Sequence, residues 1–309
     1  MFDIILLLLI NIFPLYVIIA LGFFSGKHMD VNLPSIATIA IYILAPIVNF
    51  GALAQMKFTP EYIALPILFF AISALIGTLS YKVAQKVWKS NTANLVGMSS
   101  VTGNTMYFGL PIVLALLGPE WIGVYALLNL GTFLNECGLG YFFGARGQAT
   151  IKGALLKVAR FPVIHAVILG FLYNISGFDL HETFIRYWEY SIGAWVILGM
   201  MIIGIALAKQ SKLDIDFKLL ASLLIPKFVL WPLATFAVIL ADWLYFQSFS
   251  QEVYLMLAVF GSVPLAGNLV AYAATFNLTP EKAAAAVLIT TLLAFFTVPL
   301  AVVIVQLIS

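Results

Sequence analysis

The chain has 309 residues, of which 63% are apolar and only 9% are charged, with 15 Lys and Arg against 13 Asp and Glu. This composition excludes a soluble globular domain, in which about a quarter of the residues are charged, and a disordered chain, which is polar. Because a membrane helix needs about 20 apolar residues, ten helices would use about 200 and leave no room for a separate soluble domain. The single cysteine, Cys137, excludes an internal disulfide and a cysteine-based metal site. Composition therefore predicts an all-α polytopic membrane protein.

Ten apolar runs separated by polar breaks predict ten transmembrane helices. The first run begins Met-Phe-Asp without a basic region or a cleavage motif, so we expect it to remain in the mature chain rather than act as a secretory signal. In chain order, the predicted helices span residues 2–24, 34–56, 61–81, 93–117, 120–143, 161–178, 188–208, 218–241, 252–276 and 281–307.

The basic residues of the connections are distributed unevenly. The odd-numbered connections contain twelve of them, whereas the even-numbered connections contain only Lys57 and Arg186. Because basic residues favour the cytoplasmic side, this bias predicts that both termini lie outside the cell membrane. The twelve are Lys27, Lys82, Lys86, Lys89, Arg146, Lys152, Lys157, Arg160, Lys209, Lys212, Lys218 and Lys282.

An internal repeat is indicated by motifs that recur in the same order. Phe-Pro followed by Leu-Gly-Phe occurs at 13–23 and at 161–171; Ala-Leu-Ala ends the second and seventh helices, and Pro-Glu begins the fifth and tenth. We therefore predict two repeats of five helices, residues 1–150 and 151–309. Because five is odd, the two repeats would insert in opposite orientations, as in many secondary transporters.

The fourth helix of each predicted repeat is interrupted by glycine and proline, within 98–111 and within 261–268. In hydrocarbon an unsatisfied backbone group is so costly that such an interruption persists only where it faces protein or a water-filled cavity. Half-helix N-termini directed into a cavity suit an anionic ligand. We therefore predict a substrate site at the two interruptions, where Asn104 and Asn268 supply amide groups. The alternative is a pair of kinked helices whose polar side chains, among them Ser99, Ser100, Thr102, Thr105 and Tyr107, satisfy only their own backbone.

The first interruption, Gly103-Asn-Thr-Met-Tyr-Phe-Gly-Leu-Pro111, resembles the fourth-helix signature of the auxin efflux carrier (AEC) family, and Val263-Pro-Leu-Ala-Gly-Asn268 resembles the matching segment of the second half. The resemblance implies a ten-helix carrier in which helices 4 and 9 cross at the substrate site. It implies an elevator-type cycle, with helices 1, 2, 6 and 7 as scaffold and helices 3–5 and 8–10 as the moving part. Members transport small organic anions, either auxin or dicarboxylates such as malate and malonate.

The same resemblance assigns individual residues. Asn104 and Asn268 would be the polar groups of the crossing, Pro111 and Pro264 its helix breakers, and we include the neighbouring Gly103, Thr105 and Tyr107 among the substrate-binding candidates. The short connection at 144–160 is similar to that of the prokaryotic branch and argues against auxin itself. The resemblance also implies a homodimer formed through the scaffold, in a prokaryotic plasma membrane.

Two ionisable residues, Glu136 and Lys227, lie well inside predicted helices, where charge is expensive. They could form a buried ion pair, or Lys227 could extend its ammonium to the membrane surface. The functional alternative is that Glu136 binds a co-transported proton, or that Lys227 meets a substrate carboxylate. Asn135 is a further coupling candidate because it is adjacent to Glu136.

Two other classes of protein would require residues or segments different from those of an organic anion carrier. A sodium- or proton-coupled carrier of the bile-acid symporter or cation antiporter type should have acidic residues at the crossing, where Asn104 and Asn268 are neutral. An intramembrane enzyme or a sensor would need a catalytic constellation or a signalling domain, and the sequence contains neither, nor an ATP-binding Walker motif. We therefore expect a transporter without cofactor or metal, whose partners are the anion, the bilayer and a proton as candidate coupling ion, and not nucleic acid.

Overall fold

The computed structural model describes residues 2–145, 152, 153, 156, 159–209 and 215–308. Every regular element in these ranges is helical, which confirms the prediction of an all-α protein. The main helices are α1 (Phe2–His28), α2 (Leu33–Gln55), α3 (Pro60–Val87), α4 (Thr92–Val101), α5 (Thr105–Leu117), α6 (Ile122–Asn135, continued to residue 144), α7 (Pro162–Ile175), α8 (Glu182–Ala208), α9 (Phe217–Phe246), α10 (Gln251–Ser262), α11 (Asn268–Thr275) and α12 (Pro280–Ile308).

Five of the described helices, α2, α3, α8, α9 and α12, are each long and apolar enough to cross a membrane. Helices α4 and α5 together form a sixth candidate, bent by 41° at a short break. Large apolar side chains such as Ile67 and Leu233 are more than 60% exposed, as expected for helices surrounded by lipid rather than water. The count of ten spans, their inverted repeat and their orientation stay predictions. The repeat boundary at residue 150 and the basic residues Arg146, Lys157 and Lys212 lie outside the described residues.

Helices α1 and α8 pack with their backbones in contact. A Cβ atom added at Gly22 would lie 2.7 Å from the Cα of Met201, and one added at Gly204 would collide with the carbonyl oxygen of Ile19. Small residues allow this close approach, which in a membrane gives van der Waals contact that lipid cannot match. The glycines at the contact points therefore let the two helices pack closely, and this close packing holds the pair together.

Helix α2 connects this pair to α7. The Asn174 amide of α7 donates to the carbonyl oxygen of Met56 at 2.7 Å, and the Trp188 indole of α8 donates to that of Val48 at 3.0 Å. A Cβ at Gly170 of α7 would lie 2.6 Å from the carbonyl oxygen of Phe50. Thus α1, α2, α7 and α8 form one continuous set of contacts.

The remaining helices are joined to one another by side-chain to backbone hydrogen bonds. The Asn94 amide of α4 donates to the carbonyl oxygen of Phe143 at 2.7 Å, and the Trp231 indole of α9 donates to that of Ser100 in α4 at 2.8 Å. At the start of α9, Asp216 lies 2.9 Å from the ammonium of Lys282 in α12. Two hydrogen bonds hold the pKa of the Asp216 carboxyl below its ordinary value. The larger effect comes from the N–H of Leu219 and the smaller one from the ammonium of Lys282.

Candidate functional site

The two interrupted helices meet at their interruptions. The backbone is extended at Thr102, between α4 and α5, and at Val263, between α10 and α11. The N–H of Asn104 donates to the carbonyl oxygen of Pro264 at 2.8 Å. One hydrogen bond therefore joins the backbones of the two interruptions, in keeping with the expectation that irregular backbone in a membrane protein faces protein.

The polar side chains that precede the first interruption serve their own helix. The hydroxyls of Ser99 and Ser100 both donate to the carbonyl oxygen of Val96, at 2.9 Å and 2.6 Å, and that of Thr102 donates to the carbonyl oxygen of Met98 at 3.0 Å. For these three residues the alternative interpretation, in which polar groups satisfy only the local backbone, is the one that the structure supports.

Asn104 differs from these residues because its amide is buried and unused. The residue is 3% exposed, and its Nδ2 has no hydrogen-bond partner in the described part of the chain. A buried donor without a protein partner is costly, so this amide is available to a ligand or a water molecule. Next to it, the hydroxyl of Thr105 donates to Oδ1 of Asn129 in α6 at 2.5 Å. Asn129, which was not among the predicted site residues, thus lies beside the interruption.

Lys227 of α9 lies at the same interruption. It is 2% exposed, and its Nζ is 2.7 Å from the position that a Cβ at residue 103 would occupy, so only glycine leaves room for the ammonium there. The Trp231 ring centroid is 5.5 Å from Nζ. No described carboxylate forms an ion pair with Lys227, and the considered pair with Glu136 is not formed.

Glu136 instead contacts α11, the helix that follows the second interruption. Nδ2 of Asn268 donates to Oε1 of Glu136 at 2.5 Å, and the hydroxyl of Tyr272 also forms a hydrogen bond with Glu136. Asn268 and Tyr272 are four residues apart on one helix, so they share a face. The four-residue spacing from Asn268 could have identified Tyr272 as a candidate site residue from the sequence alone.

The other predicted site residues are spread around this region. The Tyr107 ring packs against Trp195 of α8, with centroids 5.5 Å apart, and covers Gly199 of the same helix. Pro111 lies inside α5, whereas Pro264 lies within an interruption. The buried amide of Asn135 donates to the carbonyl oxygen of Phe70 in α3, so it joins two helices rather than supporting Glu136.

Wide π-helical turns carry four of the candidate residues, Thr105, Tyr107, Glu136 and Lys227. In such a turn each hydrogen bond reaches the fifth residue back instead of the fourth, and turns of this kind are frequent at functional sites. Thr105 begins one at Thr105–Gly109, Glu136 begins one at Glu136–Gly140, and Lys227 lies in one at Pro226–Leu230.

Comparison with known sequences gives the class of protein. Residues 148–302, just over half of the chain, match the family described as membrane transport protein. The chain belongs to this family. The transporter is also 25% identical, over 299 residues that cover 94% of both chains, to an uncharacterized transporter from Methanocaldococcus jannaschii. The resemblance to the auxin efflux carrier family is thereby confirmed, as is the expectation of a membrane transporter that is not an enzyme.

The transporter therefore presents two groups of candidate site residues. Gly103, Asn104 and Lys227 lie at the contact between the two interruptions, and Thr105 adds a hydrogen bond to α6. Asn268 belongs to a second group with Glu136 and Tyr272. In the first group, the Asn104 amide is an unused donor. In the second group, the Glu136 carboxylate contacts the helix that follows the other interruption. The functional proposal is based on these two features.

Proposed function

We propose that the transporter carries small organic anions, carboxylates such as malate, malonate or auxin-like acids, and binds them where the two interrupted helices meet. The observation that carries this proposal is the buried Asn104 amide, which has no described partner and adjoins the hydrogen bond from Asn104 N–H to the Pro264 carbonyl oxygen. A carboxylate oxygen is the acceptor that such a donor lacks. Asn268, Thr105 and Tyr107 would contribute to the surroundings of the ligand.

We propose further that transport follows an elevator-type cycle between two inverted repeats, residues 1–150 and 151–309, whose interrupted helices cross. Helices α1, α2, α7 and α8 would form the scaffold, and their continuous backbone contacts support this role. Helices α3–α6 and α9–α12 would move together, since Trp231 and Asn104 connect α9 and α10–α11 to the first interruption. Tyr107 on Gly199 would then be a contact across which the two parts slide. A homodimer through the scaffold, both termini outside and a prokaryotic plasma membrane complete the proposal.

Uptake into proteoliposomes tests the substrate class. The panel consists of acetate, indole-3-acetate, malonate and malate, each with its neutral amide as matched control, with and without pH and sodium gradients. We expect saturable uptake of at least one acid and none of its amide. Equal rates for acids and amides, or no acid uptake in any gradient, would contradict the proposed function.

A second candidate, proton-coupled transport, is favoured by the contact between Glu136 and Asn268. An ionised Glu136 accepts a hydrogen bond from the Asn268 amide, whereas a protonated carboxyl group is itself a donor and loses part of its acceptor capacity. Binding of a proton would therefore release the Asn268 amide toward the substrate. In this way one proton and one anion could be loaded together.

Glu136→Gln tests the coupling. Glutamine is neutral, like the protonated carboxyl group, but cannot exchange a proton, so we expect substrate binding to remain while stimulation of uptake by a pH gradient is lost. The measurement is the initial uptake rate with and without the gradient. Glu281→Gln, at an exposed position in the first turn of α12, is the matched control and should keep the stimulation. Full stimulation in Glu136→Gln would remove the proton role.

A further inference from the structure

We infer that Lys227 selects the charge of the substrate: its ammonium and the Asn104 amide together form the binding site for one carboxylate group. The inference rests on the proposed function and goes beyond it, because it assigns the recognition of negative charge to a residue outside both interrupted helices. Lys227 belongs to α9, and it approaches the first interruption at Gly103, the residue before Asn104.

The position of the ammonium excludes the ordinary roles of a membrane lysine. A lysine that extends to the membrane surface keeps its ammonium in water, but Lys227 is only 2% exposed. A structural ion pair needs a carboxylate, and none of the described residues supplies one; Glu136 is engaged with Asn268 and Tyr272. What remains is the face of Trp231, 5.5 Å away, which is a weak substitute for a counter-ion.

A second lysine on the same helix shows how an ordinary lysine is accommodated. Lys218 lies 4.5 Å above the ring of Trp88, as Lys227 lies above Trp231, but Lys218 is exposed and its ammonium also contacts the carbonyl oxygen of Val87 at 3.5 Å. The aromatic contact is thus common to both residues. Burial without an anionic partner distinguishes Lys227 within the described chain.

Two independent features at the interruption point to the same ligand. Nζ of Lys227 fills the space beside Gly103, and Nδ2 of the adjacent Asn104 is a buried donor without a described partner. An ammonium and an amide next to each other match a carboxylate, which has two acceptor oxygens and one negative charge. A neutral amide or alcohol would leave the ammonium without compensating charge, so the site rejects it.

The effect on protein stability of removing the Lys227 charge distinguishes a functional lysine from a structural one. An uncompensated buried charge destabilises the protein that contains it, so removing the charge without removing volume should stabilise the empty transporter. A lysine that held the helices together would behave in the opposite way. Lys227→Gln and Lys227→Met both keep most of the side-chain volume and remove the charge.

Thermal unfolding of the purified full-length protein in detergent tests the inference. With the unchanged protein we expect an acid of the panel to raise the melting temperature and its amide to have no effect. Lys227→Gln and Lys227→Met should melt at a higher temperature without ligand and bind the acid at least about 30-fold more weakly. Lys218→Gln is the matched control and should bind as the unchanged protein does.

Each outcome decides between the proposals. Acid binding by Lys227→Gln that equals that of the unchanged protein overturns the role of Lys227 and leaves the proposed function intact. A lower melting temperature of both ligand-free variants shows a structural lysine and likewise overturns it. If no acid of the panel stabilises the unchanged protein or enters proteoliposomes that contain it, the proposed function itself falls.

Discussion

Replacement of Asn104 by Ala is expected to lower the uptake of the organic anion at least about tenfold while the amount of protein in the membrane is unchanged. The Asn104 side chain donates no hydrogen bond within the described chain, so its loss removes no intramolecular contact of that kind. A hydrogen bond to a charged group contributes about 1.5–3 kcal/mol, and the lower figure already corresponds to a factor of about ten. The measurement is the initial uptake rate in proteoliposomes, divided by the amount of reconstituted protein.

Asn268→Ala should impair uptake as well, but for a different physical reason. It removes the hydrogen bond that Asn268 donates to Glu136, so the surroundings of the carboxylate change together with the proposed substrate site. Asn91→Ala is the matched control, since Asn91 is exposed at the start of α4 and its side chain makes no capping hydrogen bond. Unchanged rates in both Asn104→Ala and Asn268→Ala would contradict the placement of the substrate site at the two interruptions.

Gly204→Ala is expected to lower the yield and the melting temperature of the folded transporter strongly. A single methyl group at this position would collide with the carbonyl oxygen of Ile19 and with the Gly22 backbone, which cannot turn away as a flexible side chain could. Overpacking of side chains in a core costs roughly 1–3 kcal/mol, and a collision with backbone should cost more because α1 and α8 must separate along their length. Thermal unfolding and size-exclusion chromatography in detergent measure the effect.

Gly193→Ala provides the comparison on the same helix. Nothing lies within 4 Å of a Cβ at that position, so the methyl group meets open space. Alanine is favoured over glycine in a helix by about 1 kcal/mol, and the substitution should therefore be neutral or stabilising. Equal melting temperatures for the Gly204→Ala and Gly193→Ala proteins would show that the close contact of α1 and α8 does not hold the fold together.

The positions of the helices could be predicted where an apolar run is ended or interrupted by glycine and polar residues. The fourth helix was expected at 93–117, and the structure has it at Thr92–Leu117 with its break at Thr102–Asn104, because glycine and polar residues interrupt the run there. Helix α8 was expected to begin at 188 but begins at Glu182. Charged residues end an apolar run without ending a helix, and Nδ1 of His181 accepts the N–H of Thr183 at the new start.

The composition of the candidate site was less accessible to sequence, because contacts between helices depend on how each helix is rotated. Glu136 and Asn268 were separate candidates, and the hydrogen bond between them joins residues 132 positions apart in the chain. Asn129, which was not a predicted site residue, accepts a hydrogen bond from Thr105. One-dimensional spacing fixes which residues share a face of one helix, but it carries no information on which neighbour that face meets.

The hydrogen bond from Asn104 to Pro264 is made by main-chain atoms on both sides. Its geometry therefore does not depend on which side chains stand at the two positions. The one exception is proline at position 104, which would have no N–H to donate. At the proposed site, the side chains that would contact the substrate could therefore be exchanged one at a time while the main-chain hydrogen bond between the two interruptions stays the same. Substrate preference could then change without loss of the contact that aligns the two half-helices.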